Sequence, residues 1–388
     1  MNLPIIYLDH AAATPIDARV LTAMQPYFSD NFYNPSSPYL PAVLVRREYE
    51  SAKHKLAILI GAKPGEIIIT AGATESINLA FNSVSGHVVV PNIEHHAVLA
   101  NAMNHKNTIV RADERGLVSV DVIKSAIRPD TQLVSVALAN NEIGTIQPIR
   151  DIAELIKNER SSRLMNGDKT PIYFHCDASQ GANQLDVNVA RMGVDMLTLN
   201  AAKIYGPKQV GLLWVSSHVK LSPLIVGGGQ EFGLRSGTEN VAGTIGFAKA
   251  LGLVSEHRKF ESERLVKLRD ELQEKLTNSF PNAIVSGHKK HRLNGHLHIS
   301  FPGVDAERLI FLLEKKGVLV ATGSACAANS GTRSHVLSAI GLTSEQADGS
   351  IRITLGHLST SDNIKIAGII LVEEISREYK RVGHVKIN

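Results

Sequence analysis

Ile172-Tyr173-Phe174-His175-Cys176-Asp177 is followed, one connection later, by Asp195-Met196-Leu197-Thr198-Leu199 and then Lys203 and Lys208. Short apolar runs of this kind, bounded by polar connections, read as buried strands of a mainly parallel sheet. Asp177 then stands at the carboxyl edge of one strand, and a lysine follows the end of the next. Ligands bind at that edge in open α/β sheets. A carboxylate and an amine at neighbouring strand ends meet the two needs of pyridoxal phosphate, an amine for a Schiff base and an anion that keeps the pyridine nitrogen protonated. Spacing alone does not choose between Lys203 and Lys208.

Outward from these two strands the same rhythm continues. Glu66 to Thr70, His87 to Pro91, Leu133 to Ala137 and Leu212 to Val215 are further strand-like runs, alternating with helical patterns. The alternation predicts an α/β fold with helices on both faces of the sheet. Ser37 to Ile60 reads as a long helix closed by Gly61, and Pro148 to Asn158 as another. The stretch Glu159 to Lys169 (ERSSRLMNGDK) loses all periodicity and is expected to be an exposed loop. After Gly243 the pattern changes to a charge-rich amphipathic helix from about Ser255 to Thr277, with sparser strands beyond. A domain boundary is therefore expected near residue 255.

The 388 residues include 44% hydrophobic and 20% charged side chains, with 30 Gly and 15 Pro. That composition excludes disordered and fibrous classes. A formal charge of +4 from 41 basic and 37 acidic residues is too small for a nucleic-acid or anionic-membrane surface. Two cysteines, Cys176 and Cys326, exclude a disulfide framework and fit a reducing compartment. No secretion signal and no run of ~20 apolar residues is visible, so a cytoplasmic location is expected.

Several further segments carry chemistry. Thr70-Ala71-Gly72-Ala73-Thr74-Glu75-Ser76 follows a strand and opens a helix, a place where free amides and a hydroxyl can meet an anion; an ordinary strand-to-helix cap has the same look. Glu94-His95-His96 puts imidazole at the sheet edge, where it can stack on a ring or move protons, although one of two adjacent histidines is commonly just solvated. His296 and His298 lack the spacing of a zinc site, and no metal is expected. Cys176, inside an apolar strand, reads as a buried structural thiol. Cys326 sits among Ala321-Thr322-Gly323-Ser324-Ala325-Cys326-Ala327-Ala328-Asn329, small residues with nothing to anchor them, and is a candidate nucleophile on a mobile loop. Arg352, in the alternating run Ser350 to Gly356, offers a planar fork for a carboxylate or for a structural ion pair.

Taken together, these residues resemble the NifS/IscS-type cysteine desulfurases, class V members of the fold-type I pyridoxal-phosphate enzymes. The matching segments span nearly the whole chain: Tyr7 to Pro15, Asn34-Pro35-Ser36-Ser37, Gly72 to Ser76, Glu94-His95, Asn140 to Gly144, Asp177 to Gln180, Lys203 to Lys208, Arg235 to Thr238, Gly323 to Cys326 and Ile351-Arg352. The resemblance implies a large cofactor domain with a mainly parallel seven-stranded sheet over residues 16–255. A smaller α+β domain over 1–15 and 256–388 would carry the catalytic-cysteine loop. It implies pyridoxal 5′-phosphate on Lys203, Asp177 at the pyridine nitrogen, His95 stacked on the ring, and Asn141 and Gln180 near the phenolic oxygen. The phosphate would be held by Ala73 and Thr74, with Thr238 supplied by the neighbouring subunit of a homodimer. Arg352 with Asn34 would bind the carboxylate of L-cysteine. Cys326, activated by a protonated His95, would take its sulfur as a persulfide and leave L-alanine.

The chain departs from the family pattern at Asn200 and Ala202, where Ser and His usually reach the phosphate; Asn200 is kept as a cofactor-binding residue, and one phosphate contact is expected to be missing. The 159–169 connection is longer than usual. The chain ends soon after Tyr379, without the extension by which housekeeping members dock a cluster scaffold, which leaves the sulfur acceptor open between a scaffold and a tRNA-thiolation enzyme. A class V aminotransferase, a selenocysteine lyase and a non-catalytic binding relative are the competing readings. Transamination needs no thiol, and a binding protein would be colourless.

Overall fold

Residues 5–323 and 333–383 are described in the computed structural model. The helix Leu40–Ile60 has Pro41 in its first turn, where a missing N–H costs nothing, and ends at Gly61 with φ 70°, the left-handed conformation that suits glycine. Its buried face, from Val45 through Leu56 to Ile60, lies against the large sheet's core.

The strands in chain order are β1 (Ile6–Tyr7), β2 (Ile67–Thr70), β3 (His87–Pro91), β4 (Asn107–Val110), β5 (Thr131–Ala137), β6 (Tyr173–Asp177), β7 (Met196–Asn200), β8 (Gly211–Val215), β9 (Ile284–Ser286), β10 (His296–Ser300), β11 (Val318–Leu319) and β12 (Ser350–Thr354). A seven-stranded sheet runs β2-β8-β7-β6-β5-β3-β4. The neighbours from β7 to β4 pair in parallel, whereas β8 is antiparallel to both β7 and β2. The reversal has a local cause. The connection from β7 to β8 holds only the 3-10 turn Ala201–Lys203, too short for the crossover that a parallel pair needs. The carboxyl ends of β2, β3, β5, β6 and β7 therefore share one edge, and Lys203 sits in the turn at that edge.

Two expectations are corrected. The segment 159–169 is not an exposed loop up to Met165, because the helix begun at Ile149 continues to that residue. Its inward positions in this stretch are taken by arginine instead of an apolar residue. Buried Arg163 donates from Nη1 to Thr131 O at 2.8 Å and from Nη2 to Arg128 O at 2.9 Å, and Arg160 reaches Asp195 at 2.5 Å. The helix expected to start near Ser255 runs from Val241 to Ser279. Its first half shows no amphipathic period because it is enclosed on most sides: Ala242, Phe247, Ala250, Leu251 and Val254 are all buried.

That long helix crosses from one core to another. Val241 to Val254 belong to the cluster beneath the large sheet, and Leu265, Leu268, Leu272 and Leu276 to a second cluster. The second cluster also holds Ile6 and Leu8 of the N-terminal segment, apolar residues of β10 and β12, and one face of the helix Ser361–Arg381. β1 is tied to it by parallel pairing with β11, Ile6 opposite Val318. No helix among the described residues is long and apolar enough to cross a membrane.

Candidate active site

Each wall of the cleft at the sheet edge follows from a strand end. β6 ends in Asp177, whose Oδ1 accepts from Ser179 N at 3.0 Å and so faces the loop beyond the sheet. β7 ends in Asn200, whose Oδ1 accepts from Ala202 N at 3.1 Å and caps the turn carrying Lys203. Lys203 Nζ donates to the carbonyls of Ala11 and Ala12 at 2.8 and 2.6 Å, so the N-terminal segment holds the amine in place. Lys208 is exposed and does not line the cleft. β2 leads through Gly72, φ 141°, into the helix Ala73–Phe81, whose first turn has no side-chain cap. Ala73 and Thr74 of that turn face the cleft.

The cleft, about 250 Å³, gathers Ala73, Thr74, His95, Asn141, Asp177, Gln180, Asn200, Lys203 and Arg352. Nine residues proposed from the sequence for cofactor and substrate thus meet at one place, though they come from segments up to 279 positions apart. Asn34 and Thr238 are exposed and do not line this cleft. Ala202 is also absent from its walls, whereas Asn200 is present. Cys326 lies outside the described residues. Cys176 is fully buried in β6, and burial pushes its thiol well above the ordinary range, as the structural reading requires.

Electrostatics corrects one expectation. His95 caps its helix by accepting from Ala97 N through Nδ1 at 3.1 Å, so a neutral ring carries its proton on Nε2. Burial lowers the His95 pKa, against a smaller opposing pull from Asp177. The ring is held toward the neutral form, not the protonated one. Behind it, Glu94 is buried with its Oε1 accepting from Ala137 N at 2.8 Å and its Oε2 without a partner among the described residues. Desolvation pushes that carboxyl up to about 8, so it is neutral near pH 7. Beneath Asp177, His175 bridges Ser135 and Thr198 at 2.8 and 2.9 Å, with burial holding its pKa down at about 4.

Polar residues given no role of their own from the sequence also stand at the site, among them His96, Glu142, His335 and Asp9, beside Asn140 and Ser179. His96 and Glu142 line the cleft with His335, whose ring lies 4.7 Å from that of His96. His335 Nε2 meets Glu94 O at 2.9 Å. Glu142 accepts from Ser334 Oγ at 2.5 Å, and burial raises its pKa. Asp9 accepts from Arg352 Nη2 at 2.7 Å. Glu142 and Asp9 fall inside the matched segments quoted above, which was a usable signal; His335 had none.

Fold and cleft together first define a class, the fold-type I arrangement of a mostly parallel seven-stranded sheet with lysine and aspartate at neighbouring strand ends. Residues 6–366 match the class-V aminotransferases. The chain is 39% identical to a cysteine desulfurase IscS of Dictyoglomus turgidum over 98% of its own length and 97% of that protein's. Among solved structures it is similar to a NifS-like protein, TM-score 0.86 at 32% identity, covering 96% of this chain and 100% of the other. It is also similar to SspA in complex with cysteine, TM-score 0.77 at 35% identity, covering 90% and 98%. The chain belongs to the class-V aminotransferase family, on its NifS/IscS-type cysteine desulfurase branch.

Proposed function

We propose that this chain is a pyridoxal-phosphate-dependent cysteine desulfurase that moves the sulfur of L-cysteine onto Cys326 and releases L-alanine. The observation that carries the reading is the convergence of Lys203, Asp177, His95 and Arg352 on one cleft. Those donors fit the cofactor: an amine held at a fixed place, a carboxylate at the adjoining strand end, and an uncapped helix turn at Ala73 and Thr74 for an anion. When bound, pyridoxal phosphate supplies an electron sink for bonds broken at the substrate's carbons.

The protein's own groups account for the remaining work. Lys203 holds the cofactor and moves protons at the substrate carbons. Asp177 would keep the pyridine nitrogen protonated, and Gln180 and Asn141 would serve the phenolic oxygen. His95 would stack on the ring in its neutral form, with Nδ1 taken by Ala97 N and Nε2 left as the donor. Arg352 takes the substrate carboxylate. The Cys326 thiolate attacks the substrate sulfur, an S–S bond forms as the Cβ–S bond breaks, and a proton replaces sulfur on Cβ. The persulfide then passes to an acceptor protein of cluster assembly or tRNA thiolation in the cytoplasm. Thr238 would complete the phosphate site of a partner subunit in a homodimer, and residues 16–255 and 1–15 with 256–388 would form the two domains, joined through the helix Val241–Ser279.

Borohydride reduction and peptide mapping should place the pyridoxyl group on Lys203, and Cys326→Ser should keep the bound, coloured cofactor while forming no persulfide. Wild-type protein treated with cysteine should gain one sulfur atom on the Cys326 peptide. A label on Lys208, a sulfur on Cys176, or undiminished alanine release by Cys326→Ser would overturn the reading.

A further inference from the structure

Arg352 is almost wholly enclosed, its side chain 3% exposed, and its donors are unevenly used. Nη2 donates to Asp9 Oδ1 at 2.7 Å, the one short bond the guanidinium makes among the described residues. Among the described residues Nη1 makes only long contacts of 3.3 Å, to the carbonyls of Asn141 and Gly323, and the buried Nε has no partner. Asp9 itself is not part of the cleft wall, so it can act there only through the arginine.

Asp9 is also rigidly built. Its backbone bridges to Thr354 at the end of β12, and its carbonyl accepts from the Tyr7 hydroxyl at 2.8 Å. Lys203, on the other side of the same N-terminal segment, is held by Ala11 and Ala12. A flexible cation in a buried place would otherwise turn toward whichever carbonyls it could reach, because an unpaired buried charge is costly. A single fixed carboxylate on Nη2 prevents that turn and keeps the guanidinium, which borders the cleft, in one orientation for an incoming anion.

We propose that Asp9 is a positioning residue that orients the Arg352 guanidinium for the carboxylate of the amino-acid substrate. The proposal rests on the reading of Arg352 as the carboxylate-binding group. It makes specificity for α-amino acids over simple amines depend on a residue that touches neither substrate nor cofactor.

The test is calorimetric binding of L-alanine and of L-alaninamide, which lacks the carboxylate, to the holoenzyme and its variants. Asp9→Asn keeps the shape and removes the charge. It is expected to weaken L-alanine binding about 5-fold or more, leave L-alaninamide unchanged, and raise KM for cysteine with kcat within about 2-fold. Asp9→Glu should recover part of the loss. Equal weakening of both ligands would assign Asp9 a merely structural role. Tighter binding of L-alanine would show that Asp9 competes with the substrate for the arginine. Either result overturns the proposal. Arg352→Gln separates the underlying reading: unchanged L-alanine binding in that variant would refute the arginine's assignment itself, whatever Asp9 does.

Discussion

A carboxyl group with one partnered oxygen and one bare oxygen, fully enclosed, is stable only when it keeps its proton. Glu94 meets that description, with Ala137 N on Oε1 and, among the described residues, nothing on Oε2. Its folded-state pKa is raised to about 8, so its stabilising contribution is present in full below the ordinary carboxylate range. That contribution is lost as pH rises through about 8, because the unfolded chain ionises first and is favoured by doing so. Glu94→Gln has no such titration and should flatten the decline. Urea unfolding at about pH 5, 7 and 9 checks this; an unchanged slope between wild type and variant would show that other groups set it. The same residue joins two site elements, since Glu94 O meets His335 and its side chain meets β5.

At the scale of elements, the helix Ile149–Met165 shows how a polar sequence can be a buried one. Asn158 to Met165 carries no apolar stripe, yet Arg163 is 6% exposed and ties the helix to the start of β5 through Thr131 O and to the preceding turn through Arg128 O. The stem of arginine packs like an apolar side chain while its five donors satisfy carbonyls that would otherwise be orphaned. Arg163→Ala should therefore lower the unfolding free energy by about 2–3 kcal/mol, the range for losing charge-assisted bonds to buried acceptors. Chemical denaturation measures it, and a change under about 0.5 kcal/mol would place the helix end outside the cooperative core. Glu159, paired with Arg163 at 2.8 Å but 31% exposed on its side chain, should matter much less.

Over the whole molecule, a buried ion pair fastens the segment before Thr238 to the helix Leu40–Ile60. Glu231, with φ 47°, accepts from Lys53 Nζ at 2.9 and 3.0 Å, from the Tyr49 hydroxyl at 2.6 Å and from Ile69 N at 2.7 Å. Lys53→Met leaves that carboxylate buried without its cation, a change of about 3–5 kcal/mol where one partner of such a pair is removed. The expected result is a lower denaturation midpoint with the same slope. A midpoint unchanged from wild type would mean that Tyr49 and the backbone amide suffice to hold Glu231.

The alternation of apolar runs and turns made the sheet legible: His87–Pro91 is read to the residue, and the strands around Asp177 and Asn200 to within one position, because burial on both faces leaves a continuous apolar signature. The resemblance of the chain's motifs to the cysteine desulfurases brought Lys203, Asp177, His95, Thr74 and Arg352 forward as partners, and the cleft gathers them. The antiparallel turn of β8, the continuation of two helices through expected breaks, the neutral state of His95 and the hold of Asp9 on Arg352 were not readable. Periodicity and motifs are local, so the sequence by itself determined which residues form strands and which residue types the site contains. The protonation of His95 and the pairing of Asp9 with a residue 343 positions away depend on burial and on proximity across the chain, and only the tertiary structure decided those, because desolvation and Coulomb forces act through space and not along the sequence.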